Sequence, residues 1–84
     1  MMMDVKIGKI VHYYNKIGVA VLKLTKSLSA GDKIKISGHD KEFTQKVSSM
    51  QIEHQQIKKA KKGDDIGLKV DQPVKENDEV YKIE

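Results

Sequence analysis

Six lysines are the residues whose type and spacing most plainly do chemistry: Lys41, Lys46, Lys58, Lys59, Lys61 and Lys62. Lysines clustered around a turn meet successive phosphates and release their counterions, a nucleic-acid-binding chemistry. Two other readings stand beside it: a solvated charged loop, and a surface complementary to an acidic protein. All 16 basic residues are lysine. Lysine lacks the planar fork with which arginine reads guanine edges, so a nucleic-acid partner is expected to be held by backbone and shape. An arginine-free composition also fits genome bias or a warm habitat.

A second group is His12-Tyr13-Tyr14-Asn15-Lys16. Tyr14 beside Lys16 is a stacking platform for an unpaired base. Strand alternation puts one tyrosine inward as core and leaves the other as platform or cross-strand cover. His12, His39 and His54 fall on separate segments without short ligand spacing, so no metal site is predicted. The carboxylate pairs Asp64-Asp65 and Asp78-Glu79 sit in hydrated turns, and Ser48-Ser49 lies inside a strand pattern. There is no cysteine, no H-E-x-x-H and no nucleophile elbow. No catalytic residue and no cofactor is predicted.

The elements that carry these groups read as β. One unit recurs three times: Ala30-Gly31-Asp32 before Ile34 and Ile36, Lys62-Gly63-Asp64 before Ile66 and Leu68, and Glu76-Asn77-Asp78 before Val80 and Ile83. Gly and Asn accept positive φ, Asp closes the turn on nearby N–H groups, and the alternation builds a half-buried strand. Residues 5–14 and 17–25 form a hairpin around Asn15-Lys16, and Gly8 marks a bulge or a close backbone approach. Residues 42–54 read as one long strand whose parity changes at a bulge near Ser48-Ser49. Ile57 and Ala60, three apart, read as a short helical turn. Pro73 falls in the connection before the last strand.

The predicted core is Ile7, Val11, Val19, Val21, Leu24, Leu28, Ile34, Ile36, Phe43, Val47, Met50, Ile52, Ile57, Ile66, Leu68, Val70, Val80 and Ile83. The fold class is all-β: a small closed antiparallel β-barrel of about six strands, because closure removes exposed edges. One domain is expected over residues 1–84, its barrel spanning 5–83 and residues 1–4 lying outside it.

Net charge is +4. It is unevenly spread: five lysines against two acids over 1–32, eight against three over 33–62, and three against seven over 63–84. This distribution either gives one basic face or is interleaved by the strands. The start has no basic and apolar leader pattern, and no apolar run is long enough to span a membrane, so a cytoplasmic protein is expected.

Gly8-Lys9-Ile10-Val11, Gly18-Val19-Ala20-Val21, 28–36, 47–51, 60–68 and Asp78-Glu79-Val80-Tyr81 together resemble domain 2 of EF-Tu-type translation factors across residues 5–83. The chain is also similar to the barrel appended to collagenase-like peptidases. The first resemblance implies a translation-factor-like accessory module, ribosome-associated, facing ribosomal RNA or tRNA. GTP hydrolysis is excluded, since the chain has no phosphate-cradling G-x-x-x-x-G-K-[ST] loop. The alternative is a protein–protein interaction module, acting in trans on a larger enzyme or as a homo-oligomer.

Overall fold

The three Asp turns form as their residue types dictate. Asp32, Asp64 and Asp78 each donate their backbone N–H to the carbonyl three residues back, on Ser29, Lys61 and Lys75, at 3.1, 3.1 and 3.2 Å. Each carboxylate accepts the N–H of that same residue, at 2.9, 3.0 and 2.9 Å. The residue before each Asp takes the positive φ the turn needs: 92° at Gly31, 92° at Gly63 and 75° at Asn77. Both ends of each turn are thereby tied twice, and a strand follows at once.

The computed structural model describes residues 4–38, 41–53 and 55–83. Among these the strands are β1 (Asp4–Tyr14), β2 (Val19–Leu24), β3 (Leu28–Ser29), β4 (Lys33–Ser37), β5 (Glu42–Lys46), β6 (Met50–Ile52), β7 (Gln55–Ile57), β8 (Lys59–Ala60), β9 (Asp65–Lys69) and β10 (Glu79–Ile83). Every pairing is antiparallel, and no helix is present among the described residues. No helix is long and apolar enough to cross a membrane. Eight strands form one sheet in the order β5-β4-β10-β1-β2-β9-β6-β7, and β3 pairs with β8 beside it.

The all-β antiparallel class is as expected; the closed six-stranded barrel is not. The sheet has two ends, β5 and β7, and among the described residues no strand ladder joins them. The predicted long strand breaks into β5 and β6, with 47–49 between them, at the serines where the parity changes. The helical turn over 57–60 is replaced by the end of β7, a bend at Lys58 and β8. Ala60 is nevertheless buried, because it lies opposite Leu28 in the short β3–β8 pair. Very short strands carry too few residues to show a period of two.

β1 sets the curvature. Its register shifts between Lys6 and Gly8 against β10, and between Ile10 and His12 against β2. Each bulge flips the parity, so Ile7, Ile10 and Tyr13 face the core at intervals of three. Val11, predicted as core, is the extra residue of the second bulge and is 38% exposed. Gly8 does make the close approach: a Cβ there would lie 2.3 Å from the carbonyl oxygen of Lys23.

One cluster of buried residues fills the curled sheet, with Ile10, Ala20, Leu22, Leu24, Ile34, Ile66, Leu68 and Val80 among its members. On β2 the predicted Val19 and Val21 point away from it, and Ala20 and Leu22 point in. Val-Ala-Val-Leu is apolar on both parities, so the pattern alone does not choose. Val74 also joins the core, from the loop around Pro73.

Candidate functional site

The structure gathers part of the lysine set around the Ser29–Asp32 turn. Lys46 ends β5 directly opposite Lys33. The next residue, Val47, accepts from Gly31 N–H and donates to the Asp32 carbonyl, both at 2.8 Å. On the other flank Ala30 N–H donates to the Lys58 carbonyl at 2.8 Å, and Lys59 lies opposite Ser29. Lys61 and Lys62 follow on the next Asp turn, whose Gly63 N–H is held by the Leu24 carbonyl at 3.0 Å. All five of these predicted lysines are exposed. Among the described residues the lysines in ion pairs with carboxylates are others, Lys6 and Lys35. The arrangement is a hydrated basic edge.

Lys41 is not part of it. Its carbonyl accepts from Gly38 N–H at 2.7 Å, at the opposite end of β5 from Lys46, about 17 Å of extended chain away. Tyr14 and Lys16 sit on the β1–β2 hairpin, whereas the Lys61–Asp64 turn packs at the far end of β2. The predicted binding set is therefore split over three places.

Lys41 borders an open cleft of about 630 Å³ that is also lined by Pro73, Val74, Glu76 and Asp78. Asp78 is already engaged in closing its turn there. His39 and Asp40 lie outside the described residues, as does His54; His12 is described. Its Nδ1 lies 3.6 Å from Glu76 Oε1, and its ring meets Tyr14 edge-on, with centroids 4.4 Å apart. Among the described residues no three His, Asp or Glu side chains converge as metal ligands do.

The hairpin separates its two tyrosines as alternation requires. Tyr13 packs on the core and Tyr14 is 50% exposed, beside Ile17 at 59%. The outer side of β2 continues this surface at its hairpin end, before Lys23 and the outward Asp65 and Lys69 of β9. Val19 lies opposite Tyr14 and Lys69, and Val21 lies opposite His12 and Gly67. This apolar outer face was missed at the level of sequence, although the unbroken Val-Ala-Val-Leu run is its signal: strands covered on both sides read as continuous apolar runs.

The outer face of β1, β10 and β4 is charged instead. Lys35 pairs with Asp4 and lies 5.2 Å from the centre of the Tyr81 ring; Lys6 pairs with Glu79 at 3.6 Å; and the Tyr81 hydroxyl donates to Glu79. The Tyr81 hydroxyl first, and then the Lys6 charge, hold the Glu79 carboxyl below the ordinary carboxylate range. The same hydrogen bond, with burial, raises the Tyr81 phenol. Lys35 is raised, chiefly by its hydrogen bond to Asp4.

The comparisons point to one kind of protein. No family model matches the chain. It is 40% identical over 78 residues to an uncharacterized protease of Methanocaldococcus jannaschii, covering 92% of this chain and 19% of that protein. It is 32% identical over 80 residues to a collagenase of Porphyromonas gingivalis, covering 93% of this chain and 22% of that one. The chain thus spans about a fifth of the length of the curated relatives it matches. The C-terminal domain of a Geobacillus thermoleovorans protein described as a U32 peptidase has the same fold, with a TM-score of 0.85, 20% identity, and 90% of this chain and 89% of that one covered.

These matches support the likeness to the barrel appended to collagenase-like peptidases. They overturn the translation-factor assignment and, with it, the RNA-binding and ribosome-associated character drawn from it: the relatives are peptidase and collagenase proteins. The error has a physical origin. Short Gly-Asp turns feeding alternating strands specify a type of curled sheet, and unrelated functions share such sheets.

Proposed function

We propose that the chain is a non-catalytic protein-interaction module, a single β domain over residues 1–84 that acts on a larger, peptidase-like enzyme. The observation that carries this reading is the match to one segment of larger proteins. Similarity runs over 92% of this chain but only 19% of the M. jannaschii protease. A fold that elsewhere forms one domain of a larger protein has a neighbour there, and a surface of that kind is the proposed partner of this domain. The basic edge at Lys46, Lys58, Lys59, Lys61 and Lys62 is a hydrated surface under this reading, and no cofactor is required.

The test uses the M. jannaschii protease with its matching segment deleted. The chain is titrated into the shortened enzyme and into the intact one, and binding is followed by calorimetry. A complex with the shortened enzyme and none with the intact one is expected. No complex with the shortened enzyme would refute the reading.

A further inference from the structure

The basic edge around the Ser29–Asp32 turn is hydrated in the isolated domain, and it sets lysine against lysine. We propose that this edge docks an acidic segment of the partner enzyme, with an apolar side chain of that segment seated in the notch beside the turn. The inference rests on the interaction-module reading and names its surface and the chemistry of its partner.

Lys33 and Lys46 are the first argument. They lie directly opposite one another across β4 and β5, and both are exposed. Like charges so placed oppose the pairing of their strands. Among the described residues neither is in an ion pair with a carboxylate. Lys58 and Lys59 stand on the other flank of the same turn, fixed by the Ala30 N–H to Lys58 carbonyl bond and by the pairing of Lys59 with Ser29. A strand pair that breaks the rule of opposite charges marks a surface shaped for something outside the chain. A carboxylate brought to this edge offsets the repulsion.

The nearby acids are placed otherwise. Asp32 and Asp64 are partly buried and close their own turns. Asp65 lies opposite Lys23, and Glu53 is at the far tip of the β6–β7 hairpin. Lys33, Lys46, Lys58, Lys59, Lys61 and Lys62 therefore leave the two turns and their flanks with an excess of positive charge.

The notch is the second argument. Ala30, Ser48, Met50, Gln56, Ile57 and Lys58 line an open hollow of about 420 Å³ that both flanks share. Met50 is buried and Ile57 half-buried, so the inner wall is apolar. At its side Gln56 Nε2 donates to Ser49 Oγ at 3.3 Å. Among the described residues its lining holds one cation and no carboxylate. An apolar hollow ringed by charge is the anatomy of a protein-docking anchor.

Chemistry selects the occupant. No aromatic ring lines the notch among the described residues, so an unpaired base finds no stacking partner there. Turn N–H groups of the kind that cradle phosphate are taken, Ser29 by Asp32 and Lys61 by Asp64. What remains is flexible point charges around an apolar hollow, the complement of carboxylates flanking an apolar side chain. A second copy is a poor match, because the opposite end of the molecule exposes Lys16, Lys41, Lys69 and Lys75 among its acids. The part of a peptidase-like enzyme outside the matching segment is the source of the acidic segment.

The experiment measures binding to the shortened M. jannaschii protease by calorimetry at about 50 mM and about 300 mM salt. The parent chain is compared with Lys46→Glu, Lys58→Glu and Ser48→Trp, the last of which fills the notch. Lys16→Glu and Lys75→Glu make the same charge change at the opposite end, and thermal unfolding checks the fold of every variant. The parent is expected to lose about tenfold or more in affinity between the two salt concentrations. Lys46→Glu, Lys58→Glu and Ser48→Trp are each expected to cost about tenfold or more, and the two opposite-end variants about twofold or less. Lys46→Glu is also expected to melt at or above the parent temperature, since it faces Lys33 with a carboxylate. Equal losses at both ends, or none at either, would overturn this proposal and leave the module reading standing. No binding by the parent would overturn both. Single-stranded RNA bound more tightly than the shortened enzyme, and released by the same substitutions, would overturn the assigned partner.

Discussion

The side-chain amide of Gln45 donates from Nε2 to the carbonyl oxygen of Lys69 at 2.9 Å. Its Oε1 accepts the N–H of Asp71 at 2.8 Å. A single side chain thus makes the donor–acceptor pair that a strand neighbour would make. It does so where end strand β5 meets the segment leaving β9, the place where the sheet lacks a ladder. Gln45 is 6% exposed, the one buried polar side chain among the described residues, and both ends of its amide are satisfied.

Gln45→Leu is therefore expected to cost about 2–4 kcal/mol, because it strands a carbonyl and an N–H with little access to water. In a domain of this size that lowers the melting temperature by roughly 10 °C or more. Urea unfolding followed by circular dichroism measures it.

Gly8→Ala is expected to be worse than an ordinary strand substitution. The new Cβ meets the Lys23 carbonyl at 2.3 Å and Leu22 Cδ1 at 3.0 Å, so backbone must move. Overpacking of this kind costs about 3 kcal/mol. Thermal unfolding beside Gly67→Ala gives the comparison: a Cβ there would meet Val19 Cγ1 at 3.4 Å and the Gln51 carbonyl oxygen at 3.8 Å, ordinary contact distances, so opposite signs are expected at the two glycines.

Removing the turn carboxylates should grade with their surroundings. Asp32→Ala releases the part-buried Ser29 N–H, whereas Asp64→Ala releases the exposed Lys61 N–H, which water can satisfy. About 2 kcal/mol is expected for the first and about 1 kcal/mol or less for the second. The double variant should lose close to the sum if the turns act independently, which denaturant titration checks.

Tyr81→Phe should move the titration of Glu79 upward, toward the ordinary carboxylate value of 4.5, by removing the main group that depresses it. The sign follows from linkage. A depressed carboxyl stabilises the fold above its unfolded value, and that contribution is lost as pH falls through the folded one. The variant should consequently show less acid-dependent loss of stability below about pH 4.5. Carbon-detected NMR of the Glu79 carboxyl reads the shift directly.

What could be read from the sequence was local. The Asp turns close over three residues, so Gly31-Asp32, Gly63-Asp64 and Asn77-Asp78 announce themselves without any partner strand. The twofold-bulged β1 was harder: Gly8 signals its first bulge, but nothing at Val11 signals the second, which is imposed by pairing with β2. Parity on β2 depends on what lies on either side of Val-Ala-Val-Leu, and only the assembled sheet supplies that. The lysines were recognisable as surface residues. Their separation, with Lys41 and Lys46 at opposite ends of one strand, depends on hairpins that composition does not reveal. Val19 and Val21, on the outer side of β2, read as core because their parity cannot be told from that of Ala20 and Leu22 by residue type.

The three Asp turns have a kinetic meaning as well. Each is tied by contacts spanning three residues, so it closes with little loss of chain entropy, long before distant strands meet. Sheets dominated by long-range pairing fold slowly because that entropy must be surrendered first. Turns formed early at 29–32, 61–64 and 75–78 would fix where β4, β9 and β10 begin. The search for the native sheet then becomes a docking of strands already in register, with fewer chances for a one-residue slip to turn the core residues outward.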